Sequence, residues 1–303
     1  MKLFYTDVFV LPLPTGHRFP MEKYARLRER LRASGDFAEG DLQTPVAATA
    51  EQLCRAHDPA YVARVCAGEL SAAEIRRIGF PWSPEMVERS RRSAGATIAA
   101  CRAALHEGCA VNLAGGTHHA HAAHGEGFCV FNDSAVAARV LQAEGMVQRV
   151  AVIDLDVHQG NGTASICAGD ADIFTFSMHA ARNYPFRKTR SDLDIELPDG
   201  TGDAAYLQQL APALRRVFAL ARPELVIYLA GADPYLDDRL GRLALSFDGL
   251  AARDEMVLAA CRQRAVPVAI SMAGGYARDI ADTVSIHCRT VRTARQVFNP
   301  PLG

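Results

Sequence analysis

The sequence contains no Cys-x-x-Cys pair, although it carries eight cysteines, at positions 54, 66, 101, 109, 129, 167, 261 and 288. Scattered singly, they read as reduced, mostly buried thiols in a reducing compartment, which argues against both a disulfide framework and a zinc knuckle. No apolar run reaches the ~18 residues that a membrane-spanning helix requires. The opening Met1-Lys2-Leu3-Phe4-Tyr5-Thr6-Asp7 meets an acid too early for a signal peptide. A formal net charge of −1 provides no global basic field, so composition makes no case for nucleic-acid binding. Linker-like stretches and internal repeats are also lacking. The expectation is a cytoplasmic protein with neither a membrane nor a nucleic-acid partner.

With 49% hydrophobic and 22% charged residues, the composition is that of an ordinary globular protein. A chain of 303 residues accommodates two small domains or one large α/β domain. Short apolar stretches at 2–6, 109–113, 149–156, 173–178, 225–229 and 266–272 read as strands. Between them, helices are predicted at about 20–34, from Asp58-Pro59 onward, 84–106, from Asn132 or Asp133 to Gly145, 203–221 and 249–264, and one more closes the chain. Pro212 should kink its helix. The arginines of 20–34 read as a solvated, partly self-paired face. The polar segment 180–204 is long for a connection, so it is expected to be functional or to carry a small hairpin around 193–197. This alternation predicts one domain, 1–303, built on a doubly wound, mainly parallel sheet flanked by helices.

The most informative stretch is Asp154-Leu155-Asp156-Val157-His158-Gln159-Gly160-Asn161-Gly162, which follows the apolar run 150–153. Period-2 geometry puts Asp154, Asp156 and His158 on one side if the strand runs that far. A lone aspartate at a strand end is usually just solvated; two carboxylates and an imidazole together suggest a divalent-metal site. Three other strand ends are also unusually polar or glycine-rich: Gly115-Gly116-Thr117-His118-His119, Gly231-Ala232-Asp233 and Gly274-Gly275-Tyr276. Ligands bind at the C-terminal ends of strands in open parallel sheets, so all four stretches should face one cleft. Asp156, His158 and Asp233 supply the three protein ligands usual for catalytic zinc. His118 and His119 suit proton transfer, with Asp154 and Asn161 available to orient them. Tyr276, although tyrosine is most often core packing, stands beside two glycines that would let its hydroxyl reach a ligand as an oxyanion donor. His121 and His124 read as polar loop residues.

Together with Gly127-Phe128-Cys129-x-x-Asn132-Asp133, these motifs resemble those of the zinc-dependent histone deacetylase family, on the arginase/deacetylase fold, and occur in the family's order from near His17 to about residue 285. Gln159-Gly160-Asn161-Gly162 and Asp238-Arg239-Leu240-Gly241 are most similar to the class IV branch and its bacterial relatives. The resemblance implies that Asp156, His158 and Asp233 bind Zn²⁺ or Fe²⁺, which polarises an amide carbonyl and activates water. It implies that His119, backed by Asn161, is general base and then acid, that His118 with Asp154 acts electrostatically, and that Tyr276 binds the oxyanion. It further implies a structural K⁺ held by Asp154, the backbone carbonyls of Asp156 and His158, and Ser177 with Met178. Gly127 and Phe128 would form one wall of a substrate tunnel, and Tyr184 or Phe186 the other.

The activity so implied is removal of an acetyl or longer acyl group from an acylated lysine protein or peptide; a small acylated amine such as an acylpolyamine remains the alternative. Two departures stand out. Many family members carry an aspartate where Asn161 stands, and no counterpart is evident of the acidic rim residue that grips a peptide backbone in the class I branch. An arginase-like ureohydrolase would need two metals and further aspartates, yet positions 231 and 235 are Gly and Tyr. A non-hydrolytic acyl-lysine binder should have lost a ligand, the tyrosine or the histidine pair, and all are present.

Overall fold

The structure, a computed structural model, describes residues 1–298. The chain opens with β1 (Leu3–Phe4), α1 (Glu22–Ala33) and β2 (Leu42–Gln43), followed by the helices α2 (Ala50–Cys54), α3 (Pro59–Ala67), α4 (Ala72–Ile78) and α5 (Pro84–Glu107). Then come β3 (Cys109–Asn112), α6 (Asp133–Ala143), β4 (Val150–Asp154), α7 (Asn161–Ile166), β5 (Ile173–Ala180) and β6 (Leu193–Leu197). α8 (Asp203–Ala221), β7 (Leu225–Leu229), α9 (Phe247–Gln263), β8 (Val268–Ser271) and α10 (Ile280–Phe298) complete it. Local chemistry sets several of these boundaries. Asp58 caps α3 by accepting from Ala60 N at 2.7 Å, with Pro59 in the first turn. Ser83 caps α5 before Pro84, and Gly108 ends it in a positive-φ conformation. Of the two candidates for the α6 cap, Asn132 is the one that accepts from Ala135 N, at 3.0 Å.

The eight strands form one sheet in the order β2-β1-β3-β8-β7-β4-β5-β6, with every pairing parallel. Helices cover both faces, so the inner strands are apolar on both sides. In β4, Ala151 and Ile153 enter one core cluster while Val150 and Val152 enter the other. The four polar strand ends belong to β3, β8, β7 and β4, which are consecutive neighbours in the sheet. All eight cysteines are free and six are buried. Among the described residues, no helix is long and apolar enough to cross a membrane.

Two local expectations are corrected. β4 stops at Asp154, two residues earlier than the run 149–156 suggested, because side-chain carboxylates beyond that point take up backbone N–H groups. β6 is no hairpin arm: it pairs parallel with β5, Phe176 opposite Leu193 and Ala180 opposite Leu197, and buries both leucines in the core. The helix expected to bend at Pro212 is α8, which is continuous across that proline.

Candidate active site

Beyond β4 the chain turns on its own acids. Asp154 Oδ1 accepts from Asp156 N at 3.2 Å, Asp156 Oδ1 from His158 N at 2.9 Å, and Asp233 Oδ1 from Val157 N at 3.0 Å. Asp156 and His158 therefore converge through a turn and not through strand alternation. Side-chain atoms of Asp156, His158 and Asp233 that could ligate a metal lie within 4.8 Å of one another, all in buried residues. His158 Nδ1 is 2.9 Å from Asp156 Oδ1 and 3.3 Å from Asp233 Oδ2. That Asp233 oxygen is buried without a well-directed hydrogen bond. A Cβ on Gly274 would stand 1.9 Å from it, while the Gly274 N–H donates to Asp156 Oδ2 at 2.8 Å. Two carboxylates, one imidazole and an orphaned oxygen in a space kept clear by glycine fit a divalent cation with mixed O/N ligands.

The electrostatics agree. Burial alone would depress the His158 imidazole, but Asp156 and Asp233 outweigh it and hold it up at about 10. Burial, reinforced by Asp156, pushes Asp233 up to about 7. In the absence of a cation these groups hold on to a proton that a divalent ion would replace. Buried Arg253 ties the two supporting strand ends together, donating from Nη1 to Leu155 O at 3.2 Å and Gly231 O at 2.6 Å.

The histidine pair is set by the start of α6. The Asp133 carboxylate accepts from Gly116 N at 3.0 Å and Thr117 N at 2.7 Å, fixing the loop beyond β3. His118 Nδ1 then lies 2.7 Å from Asp154 Oδ2, and His119 Nδ1 lies 2.8 Å from Asn161 Oδ1. Burial would lower His118, but Asp154 and then Asp156 more than compensate and raise it to about 9. His119 goes the other way: burial, then the charges of His118 and His158, hold it well below its ordinary value. The proton affinities of these two adjacent residues are thus shifted in opposite directions.

Asn161 in turn is held by Glu126, whose Oε1 lies 2.7 Å from Asn161 Nδ2, and by His121 Nε2 at 3.1 Å. A carboxylate only accepts hydrogen bonds, so the amide nitrogen faces Glu126 and the oxygen faces His119. His119 Nδ1 therefore carries the hydrogen, and Nε2 presents its lone pair.

Tyr276 is buried, with its N–H donating to Asp238 Oδ2 at 2.6 Å. Behind it, buried Lys23 donates to Ala273 O at 3.2 Å, and its ammonium sits 5.3 Å from the Tyr276 ring centroid. Phe128, at φ 65°, packs 5.4 Å from both Phe19 and Phe80 and 6.3 Å from Tyr276. Tyr184 stands nearly perpendicular to His119 at 5.0 Å, whereas Phe186 is 85% exposed. Of the two aromatics expected opposite Phe128, only Tyr184 packs against a histidine of the pair.

One cavity of about 750 Å³ is lined by His118, His119, Asp156, His158, Asp233 and Tyr276, with Gly127, Phe128 and Tyr184 on its sides. Asp154 and Asn161 stand behind it through the histidines. Ser177 is Asp154's partner in the β4–β5 ladder, with its Oγ 2.9 Å from His179 Nδ1, and Met178 follows it, fully buried. Sequence reasoning missed Lys23, Arg253 and Glu126. For Glu126 a signal existed in the acid two residues before Phe128; Lys23 and Arg253 looked like ordinary helix charges. His121 and His124 also do more than decorate a loop, since their rings stack at 4.5 Å beside Glu126.

The chain is 44% identical to an uncharacterized protein of Picosynechococcus sp., over 97% of this chain and 98% of that protein. It is 34% identical to a histone deacetylase-like amidohydrolase of Pseudomonas aeruginosa, over 88% of this chain and 74% of the relative. Its fold matches the crystal structure of the HDA15 HD domain with a TM-score of 0.81 at 20% identity, covering 99% and 95% of the two chains. A family model, the histone deacetylase domain, matches residues 17–291, so the protein belongs to the histone deacetylase family, hydrolases of the deacetylase and amidohydrolase kind.

Proposed function

We propose that this protein is a metal-dependent deacylase that removes an acetyl or longer acyl group from the ε-amino group of lysine. The observation that carries the reading is the convergence, in one cavity, of Asp156, His158 and Asp233 with the unlike pair His118 and His119 and with Tyr276. Asp156, His158 and Asp233 would hold Zn²⁺ (or Fe²⁺), which when bound polarises the amide carbonyl and activates water. A K⁺ beneath that site, held by Asp154, the backbone carbonyls of Asp156 and His158, and Ser177 with Met178, belongs to the same reading. The pairing of Asp154 with Ser177 across β4 and β5 supports it.

His119, neutral and with Nε2 free, takes a proton from the attacking water as general base and returns it to the leaving amine as general acid. Asn161 fixes its tautomer without adding charge. His118, kept cationic by Asp154, stabilises the negative charge that develops next to it. The Tyr276 hydroxyl, which burial keeps protonated by raising it well above its ordinary value, donates to the oxyanion. Gly127 and Phe128 on one side and Tyr184 on the other line the acyl-lysine stem.

A turnover panel of acetyl-lysine peptides, long-acyl peptides and acetylpolyamines, with and without EDTA, tests the reading. EDTA-sensitive release of an acyl group from a lysine peptide is the expected result. Turnover of the polyamines alone would replace acyl-lysine by the small-amine alternative, and EDTA-resistant turnover would rule out the metal.

A further inference from the structure

The cavity that holds these groups has an electrostatic rim opposite in sign to the chain's overall balance. Seven arginines line it against three aspartates, in a protein with a formal net charge of −1. They come from separate segments: Arg18 from the loop before α1, Arg76 and Arg77 from α4, Arg182 from the stretch after β5. Arg239, Arg242 and Arg278 lie beyond β7 and β8. All seven are exposed. Arg242 is paired with Asp199 at 3.1 Å and Arg278 with Asp237 at 2.9 Å. Among the described residues, no carboxylate lies within 4 Å of the guanidinium of Arg18, Arg76, Arg77, Arg182 or Arg239.

The three acids do not offset this charge at the mouth. Asp156 and Asp233 belong to the candidate metal cluster on the floor. Asp238 is buried and spends its carboxylate on the N–H groups of Leu240 at 2.8 Å, Gly241 at 3.0 Å and Tyr276 at 2.6 Å. No glutamate lines the cavity. A divalent ion on the floor would add further positive charge.

We propose that this rim selects acyl-lysines embedded in acidic peptide segments and disfavours acylpolyamines and lysine- or arginine-flanked peptides. The inference rests on the deacylase reading, since it assigns the floor to the scissile amide and hence the rim to whatever flanks it. A polyamine would bring additional ammonium groups into a ring of guanidinium groups, and desolvation near the cavity walls strengthens that repulsion. Carboxylates flanking the reacting lysine meet arginine, the side chain whose fork suits them best. The cations are distributed over five stretches around the mouth and not gathered at one point, which suits an extended chain crossing it. Phe186, 85% exposed and 6.3 Å from Tyr184, adds an apolar contact beside them.

The test uses the metal-loaded enzyme and matched acetyl-lysine peptides flanked by Asp/Glu, by Ser/Gly or by Lys/Arg, with acetylspermidine and free Nε-acetyl-lysine alongside. At low ionic strength the acidic peptide should exceed the basic peptide in kcat/KM by about 10-fold or more, and the gap should close to about 2-fold near 0.5 M salt. The double variant Arg76→Glu/Arg182→Glu should invert the order while leaving kcat on the neutral peptide unchanged. Equal rates on acidic and basic peptides, or a preference for basic peptide or acetylspermidine, would overturn the proposal. Free Nε-acetyl-lysine performing as well as the acidic peptide would overturn the peptide part of it. Fluorescence anisotropy with labelled peptides reads the rim separately from chemistry. Selective binding of the acidic peptide with no turnover of any amide would support the rim and sink the deacylase reading; turnover without charge dependence would do the reverse.

Discussion

Asn161 presents its side-chain oxygen 2.8 Å from Nδ1 of His119, and its amide nitrogen is pinned 2.7 Å from Glu126. A neutral partner in that position orients the imidazole without raising its proton affinity, so His119 stays a free base to low pH. In Asn161→Asp a carboxylate would favour the imidazolium. Because the base works only when neutral, the acid limb of the kcat/KM profile should move to higher pH, by about one unit. A pH–rate profile of the variant checks this, and an unshifted limb would remove Asn161 from the role of charge-setting partner.

The two carboxylates around His158 make metal uptake a proton exchange. His158, raised to about 10 in the free chain, must give up its proton to become a ligand. Affinity should therefore weaken steadily as pH falls, and about one tightly held ion per chain should remain after dialysis at neutral pH. Metal analysis after dialysis across a pH series measures both. Asp156→Ala and Asp233→Ala should lose the ion and the activity together.

Gly274 is required by space. The methyl of Gly274→Ala would come 1.9 Å from Asp233 Oδ2 and 2.6 Å from Asp156 Oδ2. Metal content and activity should both collapse while the circular dichroism spectrum stays that of the wild type. Full metal occupancy in a folded variant would contradict the assigned ligand set.

Tyr276→Phe removes one hydroxyl from a residue whose backbone is held independently by Asp238. The ion should be retained and kcat should fall by roughly 10²-fold or more. Single-turnover kinetics on the metal-loaded variant separate this from a binding defect.

His57 provides a stability test away from the chemistry. Burial, only partly countered by hydrogen bonds to backbone carbonyls, lowers its imidazole to about 4; Nε2 accepts from Asn132 N at 2.8 Å. Between about pH 6.5 and 4 the unfolded chain takes up a proton there that the folded chain refuses, so stability falls as pH falls. Denaturant unfolding at pH 7 and 4.5 should show a loss about 2 kcal/mol larger in the wild type than in His57→Gln, whose amide does not titrate. Equal losses would mean that His57 is protonated in the native state.

Much of the protein could be read locally. Apolar runs and glycine-bounded polar ends are short-range patterns, so the parallel α/β architecture and the four motif-bearing strand ends were visible in the sequence. The triplet Asp156, His158 and Asp233, and Asp154 and Asn161 as acceptors for the histidine pair, followed from chemistry at those ends, whereas which acceptor serves which histidine came from the family resemblance. Spacing did not show how Asp156 and His158 meet, because the side chains of Asp154, Asp156 and Asp233 compete for backbone N–H groups and end the strand early. Nor did it reveal Lys23 and Arg253, whose charges are buried against carbonyls far along the chain, at Ala273, Leu155 and Gly231. The sheet order alone made β3, β8, β7 and β4 neighbours, and the folding together of distant segments alone gathered seven arginines at one mouth. Composition sums charge over the whole chain and is blind to position; local sequence determined which groups this protein has for hydrolysis, and only tertiary structure decided which charges surround them.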